Sequence, residues 1–468
     1  MSRTDRWIIV GGGASGLAAA FFLKQRGLES AIVERDRTLG GRMGTVRLGD
    51  RSLDCGGKNI GRKYKLFRQF AASVGTYPFE YFGLNSSQAI DGKVKTFEAR
   101  ARWRTLVDLT RGVATRDVLR FGHLLWRVKM DEAAGYLGSP LSRTLAARFD
   151  DRPASQHFST EFCRRVIRPM SVRMNGAEPD EIYVGNLGSN LRMILDTYEQ
   201  FQHGLAPLLH DVEQRYDVRL NSVAESLLLG SDPLTTTDSR GLTLNQGRVS
   251  GVRVRSADGR ATDLHGAGVI LATPAHASAT LVEPIVPALA AHLRTVAYHP
   301  VTLIVAEYDR PIFTSSVRAF VFGEDDVVSN AGAYGINDLN LVRYTFSGKT
   351  ARLSMSKEVE AERLLKAGED ALAKYVPFDT TWRRRFVTRQ FSPGLCAYAP
   401  HHGRLLDRLA QELRTVPGLY LTGDYIQGAS IEACFRAASA CVNRLAQEME
   451  QPASGDVGLL ELHAQREG

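Results

Sequence analysis

The stretch Gly11-Gly12-Gly13-Ala14-Ser15-Gly16 satisfies G-x-G-x-x-G, a pattern that carries chemistry only when a strand leads into it and a helix leaves it. Trp7-Ile8-Ile9-Val10 has the β-branched run of a short buried strand. Ala14 to Arg26, with apolar positions at Leu17, Phe21 and Leu23 and a stop at Gly27, has the pattern of a helix, and Ser30 to Glu34 reads as a second strand. Gly11 permits the tight turn, Gly13 lets the backbone approach a pyrophosphate, and Gly16 lets helix and strand pack closely. Ala14 and Ser15 open the helix, whose N-terminal N–H groups and positive potential suit phosphates. Glu34 ends the second strand, where a carboxylate accepts both hydroxyls of an adenosine ribose and repels a phosphorylated one. A glycine-rich structural turn would account for the loop but not for Glu34 at that spacing. These residues predict dinucleotide binding.

Three further stretches extend the pattern beyond the adenosine. Glu34 is followed by Arg35-Asp36-Arg37-Thr38-Leu39-Gly40-Gly41-Arg42, and then comes Leu53-Asp54-Cys55-Gly56-Gly57-Lys58-Asn59-Ile60. Near the other end, Pro417-Gly418-Leu419-Tyr420-Leu421-Thr422-Gly423-Asp424-Tyr425 precedes Ser430-Ile431-Glu432-Ala433-Cys434-Phe435. In these stretches the chain resembles the flavin-containing amine oxidase superfamily, which also holds protoporphyrinogen oxidases and phytoene-type desaturases. The resemblance implies FAD. It lays Glu34, Gly40, Gly41 and Arg42 along the pyrophosphate and flavin, and leaves open whether Arg35 or Arg37 meets the phosphates, because Asp36 occupies the usual arginine position. It passes Gly56, Gly57, Lys58 and Asn59 beside the isoalloxazine ring; a lysine there could stabilise an anionic reduced ring, although a solvated or phosphate-pairing Lys58 is the favoured expectation. Gly423 and Asp424 would meet the ribityl hydroxyls, and a helix starting near Ser430, with Ile431 and Ala433 in its first turn, would aim N–H groups at the flavin edge that gains negative charge on reduction. Tyr216 to Val223 looks like the strand whose Val223 backbone meets the adenine.

Within that superfamily the branch is tested by residue type. Amine-oxidising members usually carry a lysine, holding a water at the flavin, on the strand before Tyr-x-x-Pro-aromatic. Here the strand is Val301 to Tyr308, Pro311 anchors the motif, and the lysine position falls on Leu303, with Thr302 and Ile304 beside it. The expectation is therefore a desaturase-type or protoporphyrinogen-oxidase-type enzyme that dehydrogenates a hydrophobic or aromatic biosynthetic intermediate by hydride transfer to flavin, with oxygen or a quinone taking the electrons. The rivals are an amine or amino-acid oxidase and a redox-neutral FAD-dependent isomerase or cyclase. Positioning a C–H over the flavin needs no dedicated base. Catalytic residues are accordingly unassigned, with Lys58, Tyr398 and Tyr425 the weak candidates. His276, His299, His401 and His402 read as structural or solvent-facing, and no metal cluster stands out. Cys396 lies one residue away from the spacing used for covalent attachment, so the FAD is expected to be non-covalent.

The elements that must hold these residues follow from length and composition. With 468 residues, 44% hydrophobic and 24% charged, the chain suits several globular domains and is neither disordered nor fibrous. The predicted fold class is α/β: a Rossmann-like FAD-binding domain of the discontinuous GR2 type (residues 1–75, 205–283 and 391–450) with an α+β substrate-binding domain (76–204 and 284–390) and a mobile or docking tail at 451–468. A net charge of +8 without zinc spacing, aromatic-interleaved basic repeats or a helix-turn-helix pattern excludes nucleic acid as the expected partner. Trp7 to Leu23 is an uncharged run, but its packed glycines do not fit a signal peptide or a membrane span. Five scattered cysteines imply no disulfide framework and fit a cytoplasmic protein. Ala101 to Met130 alternates bulky apolar residues with arginines, as a basic amphipathic helix on anionic lipid would, so peripheral membrane contact is a second expectation. Oligomeric state is not readable; a homodimer is compatible.

Overall fold

The uncharged run splits where its glycines fall: Trp7–Val10 is a strand with all four side chains buried, and Ala14–Gln25 is a helix. The computed structural model describes residues 6–81, 85–90, 93–98, 107, 111–237, 243–355 and 360–450. In it Trp7–Val10 is the middle strand of a five-stranded parallel sheet, ordered Asp217–Arg219, Ser30–Val33, Trp7–Val10, Gly268–Leu271, Leu419–Leu421. Successive side chains of a strand point to opposite faces, so Trp7 and Ile9 enter one hydrophobic cluster while Ile8 and Val10 enter another. The first cluster joins Ala14–Gln25 to the C-terminal helix Ile431–Glu450, with Phe22, Phe67 and Phe70 packed around Phe435. The second is covered by the antiparallel strands Ser222–Thr237, Thr243–Ser256 and Ala261–His265 and by the helices Ala275–Val282, Pro287–Arg294 and His402–Leu413. Covering both faces is what an all-parallel sheet requires, and the mixed α/β class expected from the sequence is the class observed.

One expected strand is broken. Tyr216 to Val223 does not run continuously: Asn221 sits in the left-handed region at φ 51°, and the chain turns there. The turn is fixed by Asn221 N–H donating to the Asp36 carbonyl and Ser222 N–H to the Glu34 carbonyl, which brings Val223 beside Glu34. Asparagine tolerates this conformation better than other side chains do, a signal that alternating hydrophobicity hides.

The second sheet has seven strands, in the order Arg383–Ala397, Ala297–Tyr308, Leu341–Phe346, Asn330–Ala333, Ala319–Val321, Asn85–Ile90, Lys93–Glu98. Cross-strand partners share a face. Leu303 is opposite Arg389 on one side and Thr345 on the other, and Val305 opposite Val387 and Arg343, so all six look the same way. That face packs on the hairpin Thr45–Leu48/Arg51–Asp54 through Val305, Leu48, Leu53, Cys55 and Tyr334. The other face is closed by the helix Ala361–Ala373 through Leu364, Leu365 and Leu372.

A helical layer between Thr115 and Ile194 forms a fourth core around Phe158, Phe162, Ile167 and Leu187. Its helix Thr115–Met130 covers the latter part of the predicted basic amphipathic region; residues 101–106 and 108–110 lie outside the described residues, as does the 451–468 tail. Among the described residues no helix is long and apolar enough to cross a membrane.

Candidate functional site

The loops that follow strands Trp7–Val10, Ser30–Val33 and Leu419–Leu421 gather at the carboxyl edge of the parallel sheet, where open α/β sheets bind ligands. Gly11 adopts φ 104°, and a Cβ on Gly16 would overlap the Gly11 carbonyl oxygen, so helix and turn touch as closely as backbone permits. Gly13 is different: a Cβ there would meet only Gly40 O at 4.0 Å, which leaves its backbone open to a ligand. No side chain caps the helix Ala14–Gln25, so the N–H groups of its first turn are free for phosphate oxygens. Ser15 in that turn is buried. The buried Glu34 carboxylate accepts from Gly12 N–H at 2.6 Å and Asp36 N–H at 2.8 Å, which fixes it under the loop.

A second layer docks on the first. Gly40, at φ 105°, bridges to Gly13 and donates its N–H to the Gly12 carbonyl at 2.9 Å. Gly41 also has a positive φ. Arg42 then crosses the Gly56-Gly57 segment: its carbonyl accepts from Gly57 N–H at 2.9 Å, and a Cβ on Gly56 would collide with that carbonyl. A Cβ on Gly57 would reach only Arg42 O and the Ile431 side chain, both at 4.0 Å, so this backbone can lie against a flat ring. Asn59 carries a buried Oδ1 with no partner, as a group waiting for a ligand donor would.

Asp424 is delivered by the buried strand Leu419–Leu421 and is itself buried. Its Oδ2 accepts from Arg42 Nη1 at 2.5 Å and its Oδ1 from the Tyr298 hydroxyl at 2.9 Å, while the Arg42 guanidinium lies 5.5 Å from the Tyr298 ring centre. Burial works against the Arg42 charge, but Asp424 outweighs it and holds the guanidinium above its ordinary value. Burial, then the Asp424 charge, push the Tyr298 phenol up. Gly423 leads into this turn, and Ser430 caps the C-terminal helix by accepting the Ala433 N–H on its Oγ at 3.1 Å, with Ile431 between them.

Several sequence expectations change. Lys58 is not solvated: it is 4% exposed, donates to Gln200 Oε1 at 2.7 Å and to the Tyr334 carbonyl, and lies 4.3 Å from the Tyr334 ring centre. Burial, then the Arg343 charge, lower its pKa well below the ordinary lysine value. Arg35 and Arg37 are both exposed, and Arg35 Nε stands 3.8 Å from Asp36 Oδ1; either arginine is free to meet a phosphate, as expected. Tyr425 is fully buried in the second cluster and does not face open space. Tyr398 is also buried; its hydroxyl donates to the Asp424 carbonyl at 3.3 Å, and it borders a small cavity with Asn175, Asn186 and Asn190. His402 is buried and donates through Nε2 to the Tyr425 carbonyl at 2.7 Å. Burial, then the Asp424 charge, push the Cys396 thiol well above its ordinary pKa, so it is not a thiolate; all five cysteines are buried and unpaired. Among the described residues no group of three His, Cys, Asp or Glu is set to hold a metal ion.

No motif announces Tyr298 or Arg343. Tyr298 precedes the strand segment used to locate Leu303, and only its pairing with Cys396 across the sheet brings it to Asp424. Arg343 donates through Nη2 to the Gly56 carbonyl at 2.8 Å, on the sheet face that Leu303 shares.

Comparison with known proteins adds to this geometry. A family model described as flavin containing amine oxidoreductase matches residues 14–446. The chain is 31% identical to an L-amino-acid oxidase of Sistrurus catenatus edwardsii over 86 residues, which make up 18% of this chain and 17% of that relative. The match thus spans about a sixth of the relative's length. A solved cyclohexylamine oxidase from Brevibacterium oxydans IH-35A is similar with TM-score 0.70 at 18% identity, over 96% of this chain and 100% of that one. A putative protoporphyrinogen oxidase from Exiguobacterium sp. 255-15 gives TM-score 0.68 at 16% identity, over 96% and 100%. The two structures share the fold of this chain.

Proposed function

The chain belongs to the flavin-containing amine oxidoreductase family, and on that premise we propose that it is an FAD-dependent dehydrogenase acting on a carbon–hydrogen bond of a largely apolar biosynthetic intermediate rather than on an amine. The observation that carries this reading is the sheet face over Gly56: buried Leu303, which the sequence resemblance sets at the lysine position of amine-oxidising members, shares that face with Arg389 and Arg343. Guanidinium groups there repel an ammonium substrate. The cofactor is FAD, held without a covalent bond. The adenosine ribose falls to Glu34 with the Val223 backbone alongside, the pyrophosphate to Gly13, Ala14, Ser15, Gly16, Gly40 and Gly41, the ribityl chain to Arg42, Gly423 and Asp424, and the ring to Gly56, Gly57, Asn59, Ser430, Ile431 and Ala433. FAD supplies a two-electron acceptor for hydride. The chain itself orients the substrate's C–H and excludes water with its buried walls, which is most of what such a transfer needs. Oxygen or a quinone is the proposed final acceptor.

The test begins with the absorption spectrum of the purified protein and of the supernatant after acid precipitation. A flavin spectrum that moves into the supernatant is expected, and colour left in the pellet would overturn non-covalent binding. Anaerobic bleaching of the flavin by alicyclic or aromatic compounds, and not by their amines, is the expected substrate pattern. Peroxide and ammonium formed from amines would establish the rival oxidase, and turnover without net electron transfer the redox-neutral rival.

A surface feature supports peripheral contact with an anionic membrane. On the helix Thr115–Met130, Leu119, Trp126 and Met130 are 68%, 55% and 68% exposed, on the side opposite the buried Asp117, Leu124 and Val128. Spacing of seven and four residues puts the three on one stripe, and the exposed Arg116, Arg120 and Arg127 flank it.

A further inference from the structure

The buried Asp424 carboxylate is a junction of separated segments. Its Oδ2 takes Arg42 Nη1, which also donates to the Gly394 carbonyl at 3.0 Å. Its Oδ1 takes the Tyr298 hydroxyl at 2.9 Å, and that hydroxyl accepts from Ala275 N–H at 3.1 Å. A backbone N–H can only donate, so the single Tyr298 proton is committed to Asp424. Ala275 opens the helix Ala275–Val282, reached from the parallel strand Gly268–Leu271 by a connection that lies on the glycine turn. A Cβ on Gly11 would stand 3.1 Å from the Ala272 carbonyl oxygen and 3.2 Å from Thr273 Cγ2. His276 follows Ala275 and packs its ring edge-on against Tyr298, with ring centres 5.5 Å apart. Its Nδ1 is buried without a partner, the same condition as Asn59 Oδ1. His276 thus joins the turn assigned to the pyrophosphate to the carboxylate assigned to the ribityl chain, with one ring nitrogen unsatisfied. Such an atom costs stability until a ligand pairs with it.

Resting on the cofactor reading above, we propose that two residues outside every motif complete the FAD site: Tyr298 is a positioning residue that fixes Asp424 for the ribityl hydroxyls, and His276 is a direct ligand whose Nδ1 pairs with an oxygen of the chain between adenosine and flavin. A pyrophosphate oxygen and a ribityl hydroxyl offer the same chemistry to that nitrogen. An acceptor already held by a second donor needs less ordering when its ligand arrives, which is what the Tyr298 hydroxyl provides. Tyr298 also belongs to the strand Ala297–Tyr308 that carries Leu303, so one hydroxyl ties the cofactor site to the substrate sheet.

Titration calorimetry of FAD-free protein with FAD and with ADP tests both roles at neutral pH. Tyr298→Phe keeps the ring and removes only the hydroxyl. It is expected to weaken FAD about tenfold and to leave ADP unchanged, because ADP has no ribityl chain for Asp424 to meet. His276→Phe keeps the edge-on contact and removes Nδ1, so FAD should weaken by about tenfold while the FAD-free protein melts no lower than wild type. His276→Asn sets an amide near the Nδ1 position and should recover most of the affinity, whereas His276→Gln, whose amide reaches the Nε2 position, should not. A His276→Phe loss that ADP shares places the paired oxygen on the pyrophosphate, and a loss confined to FAD places it on the ribityl chain. Wild-type FAD affinity in His276→Phe, or an equal loss in His276→Asn, would overturn the ligand role. Tyr298→Phe that binds FAD as wild type does, or that weakens ADP as much as FAD, would overturn the positioning role. Wild-type protein that takes up no FAD would overturn the cofactor reading itself, an outcome distinct from variants that match an FAD-binding wild type.

Discussion

Glu34 meets two backbone N–H groups with its two oxygens, so each oxygen is both fixed and polarised before any ribose arrives. Glu34→Gln keeps the shape but turns one oxygen into an N–H donor facing another donor. The expected result is an FAD dissociation constant raised about tenfold or more, roughly 1–3 kcal/mol, read by flavin fluorescence on reconstitution; unchanged FAD affinity would remove Glu34 from the ribose site. Lys58 shows how environment overrides residue type. The same lysine that suggests a solvated cation in the sequence is buried between Gln200 and Tyr334, because the strand Tyr198–Phe201 and the Gly335 turn close over it. Nothing within its own stretch of sequence announces those walls.

At the scale of elements, the glycine loop separates two jobs that look alike in the motif. Gly16 is needed for packing, since a Cβ would overlap Gly11, whereas Gly13 leaves space that only a ligand fills. Gly16→Ala should therefore lower the thermal stability of protein with and without FAD, by about 1–3 kcal/mol or more. Gly13→Ala should leave the FAD-free protein as stable as wild type and lose FAD affinity alone. Calorimetric melting of both variants, with and without added FAD, checks the pair, and equal behaviour would refute the division. The helix Thr115–Met130 invites a separate measurement. Wild-type protein should sediment with vesicles containing phosphatidylserine and not with phosphatidylcholine alone, and W126S/M130S should stay in the supernatant. Sedimentation of the double variant equal to wild type would end the membrane reading.

For the whole molecule, the buried histidines set an acid limit. His402 is 1% exposed with an unpartnered Nδ1, and burial holds its pKa below the ordinary 6.5. The folded state keeps it neutral while the unfolded chain protonates it near 6.5, so below that pH the unfolded state binds more protons. Stability is therefore complete above 6.5 and is lost as the pH falls from there toward the folded-state value, by up to about 1.4 kcal/mol per pH unit. His276 and His299, also held down by burial, act in the same direction. Urea midpoints from neutral to mildly acidic pH should show this slope, and His402→Gln should flatten part of it; an identical slope in the variant would show that His402 does not carry the effect.

Local patterns were enough for the strand–glycine–helix unit, Glu34, the Gly40-Gly41-Arg42 turn and the Asp424 turn before the C-terminal helix, since each is set by residues within a few positions of one another. The α/β class and the flavin-containing family followed from those pieces. Pairings between distant segments were not legible in the sequence. Arg42 reaches Asp424 across 382 positions, and Arg343 comes over Gly56 only because its strand pairs with Ala297–Tyr308 in a register that aligns it with Val305. Which face a side chain takes depends on strand register and on what the opposite face buries, and a one-residue slip would reverse it. Motif chemistry is thus written locally, whereas the surroundings of each side chain are a property of layers brought together: only the tertiary structure decided that Lys58 is enclosed, that Tyr425 is core, and that Arg343 reaches the Gly56 carbonyl.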